Sequence, residues 1–138
     1  MASFSDYLEG KVLAAVFGQV ALPAIATVYL ALYTTNPTDA GASGVEVSGG
    51  SYARVAVTNN TTNFPAPTGT SPTQTTLHVS FAFPAPTANW GVVTGFAIYD
   101  AATLGNELAW GALTASKTIN SGDAAPSFAV DALVITLD

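Results

Sequence analysis

From Thr27 onward, no apolar run in this chain goes far before glycine, proline or asparagine interrupts it. Thr27–Tyr33, Ala53–Thr58, Thr76–Phe83, Val92–Tyr99, Glu107–Leu113 and Lys117–Ile119 read as strands, with one or two more between Ser127 and Leu137. Segments this short, rich in β-branched and aromatic residues and separated by turn formers, leave little room for helices or parallel crossovers. Thr76–Phe83 gives the clearest pattern. Leu77, Val79, Phe81 and Phe83 fall on one face, with Thr76, His78, Ser80 and Ala82 on the other, as a half-buried strand demands. Thr27–Tyr33 is apolar on both faces and reads as a central strand. Gly95 marks a bulge or a close backbone approach within Val92–Tyr99. The expected fold is mainly β: an antiparallel, jelly-roll-like sandwich or a barrel, in one domain spanning residues 1–138.

The exception is the N-terminus. Phe4, Leu8, Val12, Ala15 and Val16 recur at helical spacing, so an amphipathic helix is expected from Phe4 to Phe17. Ser3 and Asp6 have capping-box spacing, and Gly18 is a natural stop. The apolar run Val12–Leu32 is long enough for a membrane span. It is nevertheless interrupted by Gly18, Gln19 and Pro23, and its leader is acidic, so a helix, a turn and a buried strand are expected instead. Asn36-Pro37-Thr38-Asp39 ends that strand. Ala40–Ser51 reads as an exposed loop, residues 61–75 as an extended Thr/Pro arm, and Asn120-Ser121-Gly122-Asp123 as a tight turn.

Charge narrows the function. Only 9% of the 138 residues are charged, against 49% hydrophobic, where an ordinary domain carries about 25% charged. Such a surface favours association with copies of itself, as a dimer or trimer, or with a partner. The net charge of −6 supplies no basic patch for nucleic acid or an anionic membrane. With no cysteine there is neither a disulfide nor a thiolate metal site.

No pattern of catalysis stands out. His78 is the single histidine, without a nucleophile elbow near it, and reads as a surface or interface residue. The acids form no calcium loop. No catalytic residue, metal ligand or cofactor is expected. Arg54 is the side chain most in need of explanation. It lies in an apolar strand, where a lone guanidinium is costly, so it is expected to fork onto a carboxylate or carbonyls, Asp100 first among them. Tyr52, Trp90 and Trp110, with Phe4, Leu8 and Val12 of the helix, are the candidate structural and interface residues. The two tryptophans read as core or interface packing, with a glycan-stacking platform as the alternative.

At these residues the chain resembles a family of small virion proteins of tailed double-stranded DNA phages, often labelled tail-fibre-like. The resemblance is carried by Phe4-Ser5-Asp6-Tyr7-Leu8-Glu9, Val16-Phe17-Gly18, Val28-Tyr29-Leu30-Ala31-Leu32 and the block Gly49-Gly50-Ser51-Tyr52-Ala53-Arg54-Val55-Ala56-Val57-Thr58-Asn59-Asn60. It continues through Trp90-Gly91, Phe96-Ala97-Ile98-Tyr99-Asp100-Ala101-Ala102-Thr103 and Leu108-Ala109-Trp110-Gly111-Ala112-Leu113. Pro65–Pro86 departs from it, being longer and richer in Thr and Pro. The resemblance implies a non-enzymatic particle component, assembled in the host cytoplasm and residing in the virion. A compact, charge-poor module without heptads or repeats suits a capsid decoration (cement) protein bound to the major capsid protein or other virion proteins. A tail-fibre or baseplate component, with host glycan as a candidate ligand, is the alternative.

Overall fold

The computed structural model describes residues 1–41 and 43–137. In chain order its elements are β1 (Ser3–Phe4), α1 (Asp6–Phe17), β2 (Thr27–Thr35), β3 (Val45–Glu46), β4 (Val55–Thr58), β5 (Thr73–Thr76), β6 (Phe81–Ala82), β7 (Gly91–Tyr99), β8 (Glu107–Ile119), β9 (Ser127–Phe128) and β10 (Val134–Leu137). The expected β fold with one N-terminal helix is the fold found. Among the described residues there is no closed barrel: six strands form one antiparallel sheet, and β10–β5 and β6–β9 form two small ladders.

β2 is the central strand, as its two apolar faces require. It pairs with β7 along one edge, Tyr29 opposite Tyr99 through Tyr33 opposite Gly95. Its other edge is shared by two short strands, β4 against Thr27–Leu30 and β3 against Tyr33–Thr35. β8 and then β1 extend the sheet beyond β7. One face buries Leu30, Leu32, Val93, Phe96 and Ile98 against Leu77, Phe81, Phe83 and Leu133 from the segments that carry the small ladders. Phe128 of β9 completes this layer, stacked on Phe81 and edge-on to Phe96. The opposite face buries a smaller group, Ala31, Tyr33, Ala97 and Tyr99, with Tyr29 and Trp110 beside it.

Several boundaries differ from expectation, each because a distant partner overrides the local pattern. The helix begins at Asp6, not Phe4: Ser3 and Phe4 pair with Trp110 and Ala109, and Ser5 is the N-cap. Its Oγ accepts from Leu8 N–H and donates to the Glu107 and Leu108 carbonyls, a role Ser3 cannot fill from within a ladder. Glu107–Leu113 and Lys117–Ile119 belong to one thirteen-residue strand, because β7 pairs with both its ends, the register shifting between Val93 and Gly95 across the intervening Leu113–Ser116. Thr76–Phe83 keeps its alternation, burying Leu77, Phe81 and Phe83, but only its ends pair. Ala40–Ser51 contains β3 and the buried Val47, whose N–H donates to the Leu32 carbonyl. Residues 61–75 are not a free arm. Thr68 bridges Gln74, and Thr73–Thr76 pairs with β10. Residues 12–32 divide into helix, irregular chain and strand, and no helix among the described residues is long and apolar enough to cross a membrane.

Gly95 combines both expected roles. The β7–β8 register shifts between Val93 and Gly95, and a Cβ there would collide with Asn36 Oδ1 and sit 2.9 Å from the Gly111 carbonyl oxygen. Gly95→Ala is therefore expected to lower stability by about 2 kcal/mol, read as a shifted urea midpoint with an unchanged slope.

Candidate functional site

The densest polar cluster sits where β3 and β4 share the edge of β2. Between the two short strands the ladder has a gap, and a side chain fills it: Leu32 N–H donates to the Tyr52 hydroxyl at 2.9 Å. That hydroxyl donates in turn to Glu46 Oε1 at 3.0 Å. Arg54 forks onto the same carboxylate, Nε to Oε1 and Nη2 to Oε2, both at 2.8 Å. Its Nη1 donates to the carbonyls of Ala101 and Leu104 at 2.9 and 2.8 Å. The guanidinium also lies 3.6 Å from the centre of the Tyr99 ring. Burial opposes its charge, yet the hydrogen bonds and charge of Glu46 prevail and hold its pKa above the ordinary arginine value.

The expected fork exists, but its carboxylate is Glu46 and not Asp100. Asp100 is occupied within its own turn, accepting from Asn106 N–H and the Asn106 side-chain amide. Glu46 reaches Arg54 because β3 and β4 follow one another along β2. Sequence spacing alone does not reveal that juxtaposition.

Beneath the stacked Tyr99 ring, a chain of hydroxyls leads inward. Tyr33 and Tyr99 share a hydrogen bond, and the Tyr99 hydroxyl donates to Glu107 Oε2 at 3.2 Å. Burial raises all three phenols of this region, Tyr33, Tyr52 and Tyr99, so they stay protonated at physiological pH. Glu107 is the residue that sequence reasoning missed. It is 5% exposed, and among the described residues its Oε1 is the buried side-chain polar atom without a hydrogen-bond partner. Burial pushes its pKa from the ordinary 4.5 to about 7; the Tyr99 hydrogen bond and Arg54 oppose the rise, and Asp39 adds to it. The available signal was a lone acid heading the apolar run Leu108-Ala109-Trp110. Glu107 lines a cavity of about 310 Å³ with Ser5, Tyr7, Asp39, Arg54 and Asn106 among its other walls.

The two tryptophans do not meet. Trp90 is buried under the large aromatic layer, edge-on to Tyr52, its Nε1–H donating to the Gly50 carbonyl. Trp110 lies half-buried beside the opposite face and donates to Asp39 Oδ1 at 2.7 Å. No shared platform for a sugar forms between them. His78 is exposed, 2.9 Å from Asp131 Oδ1. No cluster of three or more potential metal ligands occurs among the described residues.

Of the residues expected on the helix, Leu8 packs against the core, Val12 is half-buried, and Phe4, half-buried too, belongs to β1 instead. Beyond them the expected amphipathic face fails. Leu13, Val16, Phe17, Val20 and Leu22 are all more than half exposed, Phe17 at 81%. No charged residue interrupts the sequence between Lys11 and Asp39.

Two predictions follow from the buried charges. Arg54→Ala removes a guanidinium whose side chain is 7% exposed and strands Glu46, at 27%; a loss of about 2–3 kcal/mol is expected. Arg54→Lys keeps the charge but loses the fork, and recovers less than half of it. Chemical denaturation checks both, and a loss of only about 0.5 kcal/mol, that of an exposed pair, would contradict the role assigned to this contact. For Glu107 the folded state holds its proton more tightly than the unfolded chain. Its contribution is therefore full below about pH 4.5 and is lost as pH rises through about 7. Glu107→Gln is expected to flatten the fall in melting temperature across that window and to raise it above pH 7.

A comparison with curated proteins finds no match. The model of one protein family, described as podophage GP4 fiber I protein gp80, matches residues 3–136, from the first strand to the last. The chain therefore belongs to this family of phage fibre-type virion proteins.

Proposed function

We propose that the protein is a non-enzymatic structural subunit of a phage tail fibre, joined to a second copy of itself through the bare apolar surface of α1 and the segment that follows it. The observation that carries this reading is the run of exposed side chains from Leu13 to Leu22. Together these five present on the order of 500 Å² of apolar surface, at the upper end of what a monomer leaves bare. A standard interface buries about 800 Å² on each partner, so this surface can form the greater part of one. Because it carries no charge, two copies can face each other there without bringing like charges together.

The family description favours a fibre over capsid decoration. The lack of heptads weighs only against a coiled shaft, and a compact β module suits a globular part of a fibre. Arg54, Glu46, Tyr52 and Trp90 serve as locks within the subunit, since their polar atoms are satisfied inside it.

Immunogold labelling of intact virions and counting copies per particle test the location. A handful of copies at the tail is expected, and hundreds across the capsid would restore the decoration reading. For the surface, Val16→Ser with Phe17→Ser is expected to shift the protein to monomer in light scattering while the far-ultraviolet circular dichroism stays that of the folded chain, because both side chains face solvent within one subunit. Wild-type protein that stays monomeric at high concentration would overturn this interface.

A further inference from the structure

We propose that the cavity walled by Glu107, Asp39, Tyr7 and Asn106 is a binding site for a primary alkylammonium group of the kind a lysine side chain carries. The site is distinct from the apolar surface of α1 and does not depend on the fibre assignment. Among its walls is a carboxylate that the fold buries and leaves half-satisfied. Glu107 Oε2 accepts from Tyr99, and Oε1 has no donor. A buried carboxylate oxygen without a partner is costly, and a ligand that supplies a charged donor repays that cost.

The donors in the cavity wall that already hold hydrogen bonds do not supply it. Arg54, the cation in its wall, is engaged by Glu46 and by the Ala101 and Leu104 carbonyls. Tyr33 and Tyr99 hydroxyls bond one another and Oε2. Asp39 adds a second negative charge at the wall, held in place by Trp110 Nε1–H, so an anionic ligand is disfavoured. A metal ion lacks a third ligand, since no suitable cluster exists among the described residues. A guanidinium prefers two free carboxylate oxygens, and here one is taken. A point donor on a narrow stem fits the single vacant oxygen better. The cavity, at about 310 Å³, is large enough for such a side chain.

Proton and ammonium compete for Glu107. The titratable and charged groups facing it are Tyr7 from α1, Tyr33 from β2, Asp39 from the loop after β2, Arg54 from the entry to β4 and Tyr99 from β7. Of these, Asp39 raises its pKa and Arg54 lowers it. With burial the net result is a group that titrates near neutrality. Binding is thus expected to strengthen as pH rises through about 7 and to level off above it.

The test uses the full chain and two probes, Nα-acetyl-lysine methylamide and its Nε-acetylated, uncharged counterpart, followed by NMR shifts of the Gly105 and Asn106 amides. The charged probe is expected to shift both signals saturably one unit above the Glu107 pKa and far less one unit below it. Glu107→Gln is expected to weaken binding about tenfold or more. Should that variant fail to fold, Asp39→Asn, which still accepts from Trp110, is expected to weaken binding less but in the same direction. The proposal is overturned if the acetylated probe binds as well as the charged one, if affinity ignores pH, or if millimolar probe leaves wild-type signals unmoved.

Discussion

The Glu46 carboxylate holds together an edge that backbone hydrogen bonds alone leave broken. β2 is central, yet its outer edge is covered by a two-residue strand and a four-residue strand with a gap between them. Neither is long enough to hold its register unaided. Tyr52 bridges the gap by accepting from Leu32, and Glu46 ties Tyr52 and Arg54 together. Arg54 then extends the connection to the carbonyls after β7 and to the Tyr99 ring. One ion pair therefore fixes β3, β4 and the β7–β8 turn relative to each other. In a chain with three cationic side chains, spending one here shows how little redundancy the seam has.

This arrangement explains which parts of the fold could be read from the sequence. β2 and β7 were legible because their identity depends only on local composition: apolar on both faces, bounded by turns. The alternation of Leu77, Phe81 and Phe83 was legible because burial on one face imposes period two on any extended chain, paired or not. Gly95 was legible for the same reason, since a glycine amid large residues needs a nearby obstacle. What resisted reading was everything decided by a distant partner. Ser3 looks like a cap until β8 claims it for a ladder. Asp100 looks like the partner of Arg54 until the order of strands along β2 puts Glu46 there instead. Glu107 looks like an ordinary strand-leading acid because nothing nearby announces that Ser5 and Asp39 will close over it.

The helix illustrates how anchoring, and not flexibility, leaves apolar surface bare. Its first residues are pinned at several points: Ala2 N–H donates to Val134, Ser5 to the β8 carbonyls, and Asp6 N–H to the Asp39 carbonyl. Gly18 N–H closes the other end on Ala14. Along the last two turns Val12, Ala14 and Ala15 are partly covered, while Leu13, Val16 and Phe17 are left largely bare by their own chain. Hydrophobic side chains with two-thirds of their area in water contribute little to folding a monomer. In the proposed dimer a second copy covers them.

Ser5 joins this region to the buried acid. The same hydroxyl that caps α1 donates to the Glu107 carbonyl, and Ser5 and Tyr7 both wall the cavity beside the Glu107 side chain. Ser5, at 1% exposure, is thus one of several contacts shared by the start of the helix and the surroundings of the carboxylate. Moving the helix would uncover the Glu107 side chain and return it toward an ordinary acid, since burial is the main cause of its raised pKa. The first turn of the helix therefore serves two neighbours at once, capping α1 through Ser5 and walling the cavity through Ser5 and Tyr7.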